Sequence, residues 1–182
     1  MSSLLCKRTN MSTTMDLTDQ DVFTALVSFF GTFLPAGTPV VQGQENLVSM
    51  PPDGFVVMTN SGLDRLSFNV DNYFSDTQLK TILTPTRYTI QLDFYGHLSS
   101  QWVMETIALF RDEYSTEMFP ANIQPLYADN AIQIPLINGA ERYEQRWSLK
   151  ANLQYNPIIT TDQQSALELK INPLPIDQTF LP

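Results

Sequence analysis

The chain of 182 residues is poor in the residue types that build most catalytic centres and metal sites. It has one cysteine, Cys6, and one histidine, His97, which excludes an internal disulfide, a cysteine-based metal cluster and a pair of histidine ligands. Its seven glycines spell neither a dinucleotide-binding fingerprint nor a Walker loop. No apolar run approaches the roughly 18 residues that span a membrane, and no apolar segment follows the first basic residues, as a secretory signal requires. We therefore expect a soluble protein of a reducing compartment with no cofactor, no metal ion and no membrane partner.

Charged residues are also scarce, at 16% of the chain against about 25% in an average soluble domain. The 10 basic and 19 acidic residues give a formal net charge of −9. This balance argues against a general attraction to nucleic acid, because binding to the phosphate backbone needs clustered cations. A surface with so little charge is common in proteins that other subunits largely cover.

Few residues are left that could carry acid/base chemistry. His97 follows Gly96 at a strand-to-helix junction and is interpreted as a loop residue. The pairs of carboxylates lie in polar stretches, so we interpret them as ordinary surface acids. An acid/base enzyme that uses the acidic segment 60–80 stays open, and it requires a buried carboxylate with a raised pKa at Asp71 or Asp76.

Two segments have the apolar spacing of amphipathic helices. The first covers residues 18–34, where Thr18 followed by Asp21 resembles a capping box. The second covers residues 99–116, with Ser99 as its expected N-cap. Each helix is expected to pack an apolar stripe against the rest of the domain.

The remaining pattern is that of β-strands. Apolar and polar side chains alternate most clearly over residues 85–95 and 142–156. The second segment would extend about 45 Å, so a strand of this length must bend or overhang its domain. Further strands are expected at Val40–Gln42, at 55–59 before a turn at 60–62, in a hairpin within 123–137, and at 167–171. This order predicts an α+β fold with a mixed or antiparallel sheet and two main helices packed on one face.

The two ends of the chain have neither the apolar spacing of a helix nor the alternation of a strand. Residues 1–15 are rich in serine and threonine, and we expect a flexible N-terminal arm or an arm that orders on a partner. Residues 16–182 are expected to form a single domain with an extended, proline-rich tail at 172–182. The apolar side chains of this tail fit no helix or strand, so they are candidates for contact with a neighbouring subunit: Leu174, Ile176 and Phe180.

The charges suggest two further contact surfaces. Segment 60–80 is polar, acidic and too long for a structureless connection, so we expect a surface excursion that binds a partner. Its candidate contact residues, taken with the turn at 129–130, are Asp64, Asp71, Tyr73, Asp76 and Asp129. One face of the long strand is basic, and it is either a solvated face or a dock for the acidic half of an identical neighbour. The basic residues of that face are Arg142, Arg146 and Lys150.

Three blocks of sequence carry a resemblance to a known family. They are DVFTALVSFFGTFLPAGTPVVQGQENLVSMP, TPTRYTIQLDFYGHLSSQWVMETIALFRDEY and ERYEQRWSLKANLQYNP. In these blocks and in the order of its elements, the chain resembles the neck terminator proteins of long-tailed bacteriophages, also called tail terminator or tail completion proteins. The resemblance covers about residues 16–175. It includes no short signature motif, so it transfers no functional residue.

The resemblance implies a small α+β subunit, six of which form a ring at the head-proximal end of the tail. Such a ring halts polymerisation of the tail tube protein and offers a surface to the head connector and other neck proteins. Genomic DNA passes through it without specific binding, and the family has no enzymatic activity. The chain would then belong to the tail and neck of the virion, after assembly in the host cytoplasm.

Another neck or tail component, such as a connector stopper or a tube-like subunit, stays open as an alternative, because small α+β virion proteins look alike at this level and only their position in the particle separates them. For a terminator, we expect one ring face to mimic the end of a tube subunit and to pair with the last tube ring, partly by β-augmentation. The other face would lack a polymerising surface, so growth stops there. Segment 60–80 and the turn at 129–130 are the candidates for these axial contacts.

Overall fold

The computed structural model describes residues 12–44, 51, 54–137 and 143–163. Within them the chain forms three helices and twelve strands. In chain order these elements are β1 (Thr13–Met15), α1 (Asp19–Phe30), β2 (Val40–Gln42), β3 (Phe55–Arg65), β4 (Val70–Phe74), β5 (Leu79–Leu83), β6 (Thr86–Tyr95), α2 (Ser99–Leu109), α3 (Glu113–Met118), β7 (Ile123–Ala128), β8 (Ile132–Gln133), β9 (Leu136–Ile137), β10 (Tyr143–Glu144), β11 (Arg146–Tyr155) and β12 (Ile158–Asp162).

The largest group of strands is a six-stranded mixed sheet, which we call the core sheet. Its strands lie in the order β2-β3-β6-β11-β7, and β8 also pairs with β11. Strands β2 and β3 are parallel, whereas the other neighbours are antiparallel. The predicted α+β class with a mixed sheet is confirmed.

One face of the core sheet carries the hydrophobic core. Alternate residues of β6, from Tyr88 to Phe94, and of β11, from Leu149 to Tyr155, share this face and are buried. Apolar side chains of α1 and α2 join the same cluster. The two main helices therefore pack on one face of the sheet, as predicted.

Helix α1 begins as the sequence predicts and ends earlier. The Asp21 carboxylate accepts hydrogen bonds from the backbone amide of Thr18 at 2.7 Å and from its hydroxyl at 2.8 Å. Both bonds lower the pKa of Asp21 because they stabilise its ionised form, and the bond from the hydroxyl has the larger effect. The helix ends at Phe30, with Gly31 as its C-cap, rather than at residue 34.

The second predicted helix is divided into two. Helix α2 ends at Leu109, and Asp112 caps α3 by accepting a hydrogen bond from the Tyr114 amide at 2.9 Å. Aspartate is a good N-cap, so a new helix begins inside a segment whose apolar spacing is continuous. The predicted N-cap of α2 is wrong by one residue, since Leu98 occupies the cap and the buried Ser99 is the first helical residue.

Strand β3 is longer than the sequence predicts. The expected turn at 60–62 is a β-bulge between Asn60 and Gly62, and the strand continues to Arg65. The Asn60 side chain accepts a hydrogen bond from the Gly62 amide at 3.0 Å and donates one to the Tyr88 hydroxyl at 2.8 Å. These residue types suit a bulge as well as a turn, so the strand is bent here without ending.

Strand β11 runs through the middle of the core sheet and is shorter than predicted. It covers ten residues, Arg146–Tyr155, rather than 142–156, and β10 is a separate strand that pairs with β9. The predicted hairpin within 123–137 is wrong, because β7 and β8 each pair with β11 instead of with each other. Strand β7 lies at an edge of the sheet, where its Pro125 is tolerated.

A second sheet, which we call the open sheet, has four antiparallel strands in the order β1-β12-β5-β4. None of its residues is buried. Strand β1 lies inside the segment that the sequence assigns to a flexible arm, and β12 lies where the sequence predicts no strand. Residues 1–11 of that arm, the strand predicted at 167–171 and the tail at 172–182 lie outside the described residues.

Candidate interaction surfaces

The structure divides the predicted contact residues between two surfaces. One group lines a cleft on the face of the core sheet opposite the helices: Asp64, Asp129 and Lys150. A second group lies on β4 of the open sheet or in the turn after it: Asp71, Tyr73 and Asp76. Arg146 belongs to neither group, and four further candidates lie outside the described residues: Arg142, Leu174, Ile176 and Phe180.

The cleft is held together by polar contacts between strands. Arg87 of β6 donates a hydrogen bond to the Asp64 carboxylate of β3 at 2.7 Å and another to the Tyr127 hydroxyl of β7 at 3.3 Å. The bond to Asp64 raises the pKa of Arg87 above its ordinary value. Asp64 therefore has a cation within the chain, while Asp129 and Lys150 are exposed on the same cleft.

Arg146 belongs to an internal ion pair instead of an exposed basic face. Its Nη2 lies 2.9 Å and its Nε 3.3 Å from the two carboxylate oxygens of Asp93. Asp93 is only 4% exposed and also accepts a hydrogen bond from Gln91 at 2.9 Å. The pair raises the pKa of Arg146 chiefly through its hydrogen bonds. Of the predicted docking strand, Lys150 is thus the exposed cation among the described residues.

The acidic residues of the open sheet are exposed. Asp71 forms an ion pair with Lys80 of β5 at 2.7 Å, and the side chain of Asp71 is 50% exposed. Asp76 is also exposed and accepts a hydrogen bond from Ser75 at 3.2 Å. Neither aspartate is the buried carboxylate that the acid/base hypothesis requires.

The open sheet and the bend before it also expose apolar side chains that sequence reasoning missed. Phe68 is 87% exposed, and Met15, Val70 and Phe74 are each 52% exposed. The alternation of Leu66, Phe68 and Val70 in a polar segment is the signal that could have found them. Neighbouring exposed apolar side chains are typical of surfaces that bind another protein, and Val70 and Phe74 both lie on β4.

The two sheets together define a class of protein. A sheet that has no buried residue and exposes apolar side chains is typical of a protein that binds other chains. The chain belongs to the phage neck terminator protein family, whose sequence pattern it matches over residues 20–177. The resemblance found in the sequence is confirmed.

A solved structure has a similar fold. It is the sheath/tube terminator of an extracellular contractile injection system, PVC, in its extended state, with 12% sequence identity and a TM-score of 0.50. The match covers 90% of this chain and 65% of that one, so the chain spans about two-thirds of the length of that protein. At this identity the likeness concerns the fold alone. No curated protein sequence matches the chain.

Membership of this family places the chain among the components of the phage virion. None of the helices in the described ranges is long and apolar enough to cross a membrane.

Proposed function

We propose that six copies of the chain form a ring that ends the tail tube, joins it to the neck proteins and leaves a channel for the genome. The observation that carries this proposal is the open sheet, which buries no side chain within its own chain. A small sheet is stable when one of its faces packs against something apolar. Neighbouring copies, together with the tube or neck proteins on the axial faces, would supply those contacts.

The two axial faces of the ring have different roles. One face mimics the end of a tube subunit and pairs with the last tube ring, partly through exposed strand edges. The opposite face has no polymerising surface, so tube growth stops there and the head connector binds. The axial contacts are assigned to segment 60–80 and to the turn at 129–130.

The charge of such a ring suits a passage for DNA. Each copy has a formal charge of −9, so six copies carry −54. Acidic walls repel phosphate groups, which lets the genome slide through without specific binding.

The native mass tests the ring directly. Light scattering across a range of protein and salt concentrations should reveal a species of 123.6 kDa, six times the 20.6 kDa of one chain. A monomer at every concentration would contradict self-assembly. Electron microscopy with purified tail tubes then tests termination, for which we expect one capped end per tube. Tubes that lengthen when the chain is added would favour a tube-like subunit instead.

The C-terminal tail at 172–182 is proposed to reach a neighbouring copy through Leu174, Ile176 and Phe180. Deleting residues 173–182 should weaken ring formation, because the deletion removes these apolar side chains. Native mass measurements give the readout, and Gln178→Ser in the same tail is the matched control, which should assemble normally. A ring that forms equally well without the tail would exclude this contact.

A further inference from the structure

The open sheet has two edges, formed by β4 and β1, and no other described strand pairs with either edge. An exposed edge is a template for pairing with another chain, and monomeric proteins protect such edges with charged side chains, above all lysine, with proline or with a bulge. Strand β4 contains no lysine, proline or bulge, and its one charged residue, Asp71, is paired with Lys80 of β5. Strand β1 has the sequence Thr-Thr-Met and carries no charge. Both edges are therefore suited to strand pairing.

Hydrogen bonds fix which backbone groups of β1 point outward. The Asp16 amide donates to the Ile158 carbonyl of β12 at 3.2 Å. Backbone groups alternate along an antiparallel strand, so those of Thr14 face β12. Those of Thr13 and Met15 face away from the sheet.

The same reasoning applies at the other edge. The Thr84 amide donates to the Pro157 carbonyl at 3.2 Å, which sets the alternation between β5 and β12. It follows that Asn72 of β4 exchanges backbone hydrogen bonds with β5. The backbone groups of Asp71 and Tyr73 face outward.

The two edges run in opposite directions, because the sheet has an even number of antiparallel strands. Strand β4 of one copy can therefore lie against β1 of the next copy as one more antiparallel pair. A contact between two unlike surfaces of the same chain repeats from copy to copy, and it produces a ring when the rotation closes.

We infer that β4 of each copy pairs with β1 of its neighbour, so that the open sheets of adjacent copies form one continuous antiparallel sheet. This inference rests on the proposed ring and names its joint. It assigns β4, which lies within segment 60–80, to the contact between neighbouring copies rather than to an axial face. The register that centres β1 on β4 places Asp71 opposite Met15, Asn72 opposite Thr14, and Tyr73 opposite Thr13. No like charges meet in this register, since β1 is uncharged and Asp71 is already paired with Lys80.

Cysteine cross-linking tests the joint. Asn72 and Thr14 would form a pair without mutual hydrogen bonds, in which the Cα atoms lie about 4.5 Å apart, within the range that a disulfide bridges. In a Cys6→Ser background, the Thr14→Cys/Asn72→Cys variant should give a ladder of covalent oligomers after oxidation, on a non-reducing gel. Each single variant should stay monomeric on that gel. The matched control combines Asn72→Cys with Gln101→Cys, which is exposed on α2, and should give no ladder.

The native mass of the same samples distinguishes failure of the joint from failure of the ring. A hexamer that gives no ladder would overturn the joint and leave the proposed ring intact. A chain that is monomeric by mass and gives no ladder would overturn both. A covalent dimer from Asn72→Cys alone would also overturn the joint, because it would show two β4 strands paired around a two-fold axis.

A second variant tests the backbone pairing itself. Tyr73→Pro removes an amide that points away from β5, so no hydrogen bond within the chain is lost. Association should weaken by about tenfold or more, which corresponds to roughly one backbone hydrogen bond, while the circular dichroism spectrum stays unchanged. Tyr73→Ser keeps the amide and should associate more tightly than the proline variant. Equal association of Tyr73→Pro and the unmodified chain would overturn the inference.

Discussion

The core sheet and the open sheet hold their strands together in different ways. In the core sheet, β6 and β11 are paired over ten residues, and alternate side chains are buried beneath the helices. The open sheet has regular backbone pairing and one ion pair, between Asp71 and Lys80, but it has no buried side chain. Hydrophobic burial stabilises the first sheet within a single chain, whereas it contributes less to the second, where β5 and β12 are only partly buried and β1 and β4 are exposed. The chain thus combines a sheet that has its own core with a sheet that has no buried residue.

Removing one phenylalanine from each part tests this difference most strongly. Phe29 is fully buried, and its ring centre lies 5.7 Å from that of Phe110 and 5.4 Å from that of Phe119. Phe29→Ala should lower the free energy of unfolding by about 3–5 kcal/mol, because it leaves a cavity in the core. Phe74 of the open sheet is 52% exposed, so Phe74→Ala should change that free energy by less than about 1 kcal/mol in the monomer. Urea unfolding at low protein concentration measures both values.

Phe74→Ala has the smaller expected effect on the stability of the monomer, but it should have a clear effect on assembly of the ring. Phe74→Ala should weaken ring formation, because a neighbouring copy would cover this side chain, and native mass measurements would reveal the loss. Similar destabilisation of the monomer by the two substitutions would show that the open sheet is already complete within one chain.

Buried tyrosines should make the stability of the core sheet depend on pH. Tyr155 is 5% exposed, and its hydroxyl donates a hydrogen bond to the Leu17 carbonyl at 2.9 Å. Burial is the main cause that raises the pKa of Tyr155 from 10.0 to about 12. Between these values the unfolded chain loses this proton before the folded chain does. Stability that is present below pH 10 is therefore lost as the pH rises toward 12, by up to about 1.4 kcal/mol per pH unit for this group.

Tyr155→Phe checks the assignment, since it removes the ionising hydroxyl and keeps the ring. Urea unfolding at several pH values should show a shallower loss of stability for the variant between pH 10 and pH 12. Burial also raises the pKa of Tyr88, which should account for part of the remaining slope. Equal slopes with and without the Tyr155 hydroxyl would argue against its titration.

The smallest effect is expected at Lys150, on the face of the core sheet opposite the helices. If this face docks on an acidic neighbour, Lys150→Glu should weaken the ring by about 1 kcal/mol or less, and more at low salt. Exposed ion pairs are weak and screened, which explains both expectations. Native mass across a salt series measures the change, and Lys150→Gln separates loss of the cation from reversal of its charge. If neither the substitutions nor the salt concentration changes the native mass, this face does not belong to the proposed interface.

The sequence predicted the parts of the fold where side-chain pattern and environment agree. Strand β6 faces the helices on one side only, so its apolar and polar residues alternate clearly. The start of α1 was predictable because Thr18 and Asp21 are close in sequence. Predictions failed where a residue type permits two structures, as at Gly62, which lies in a bulge instead of a turn, and at Asp112, which caps a new helix.

The interaction surfaces were harder to predict for two physical reasons. Both faces of the open sheet are at least partly exposed, so its strands have no strict alternation, and β12 went unrecognised. The contacts of charged residues also depend on distant parts of the chain. Arg146 pairs with Asp93, which is 53 residues away in sequence, and no local sequence pattern predicts this pairing.

The ion pair between Arg146 and Asp93 also selects among the alignments that β11 and β6 can adopt during folding. In the native alignment both side chains share the face opposite the helices. A slip of β11 by one residue would turn the guanidinium toward the helix-covered face and leave the Asp93 carboxylate buried without its cation. An unpaired buried charge costs several kcal/mol, so misaligned chains are disfavoured before they meet another copy. The proposed ring of identical copies would depend on this control of strand alignment within each chain.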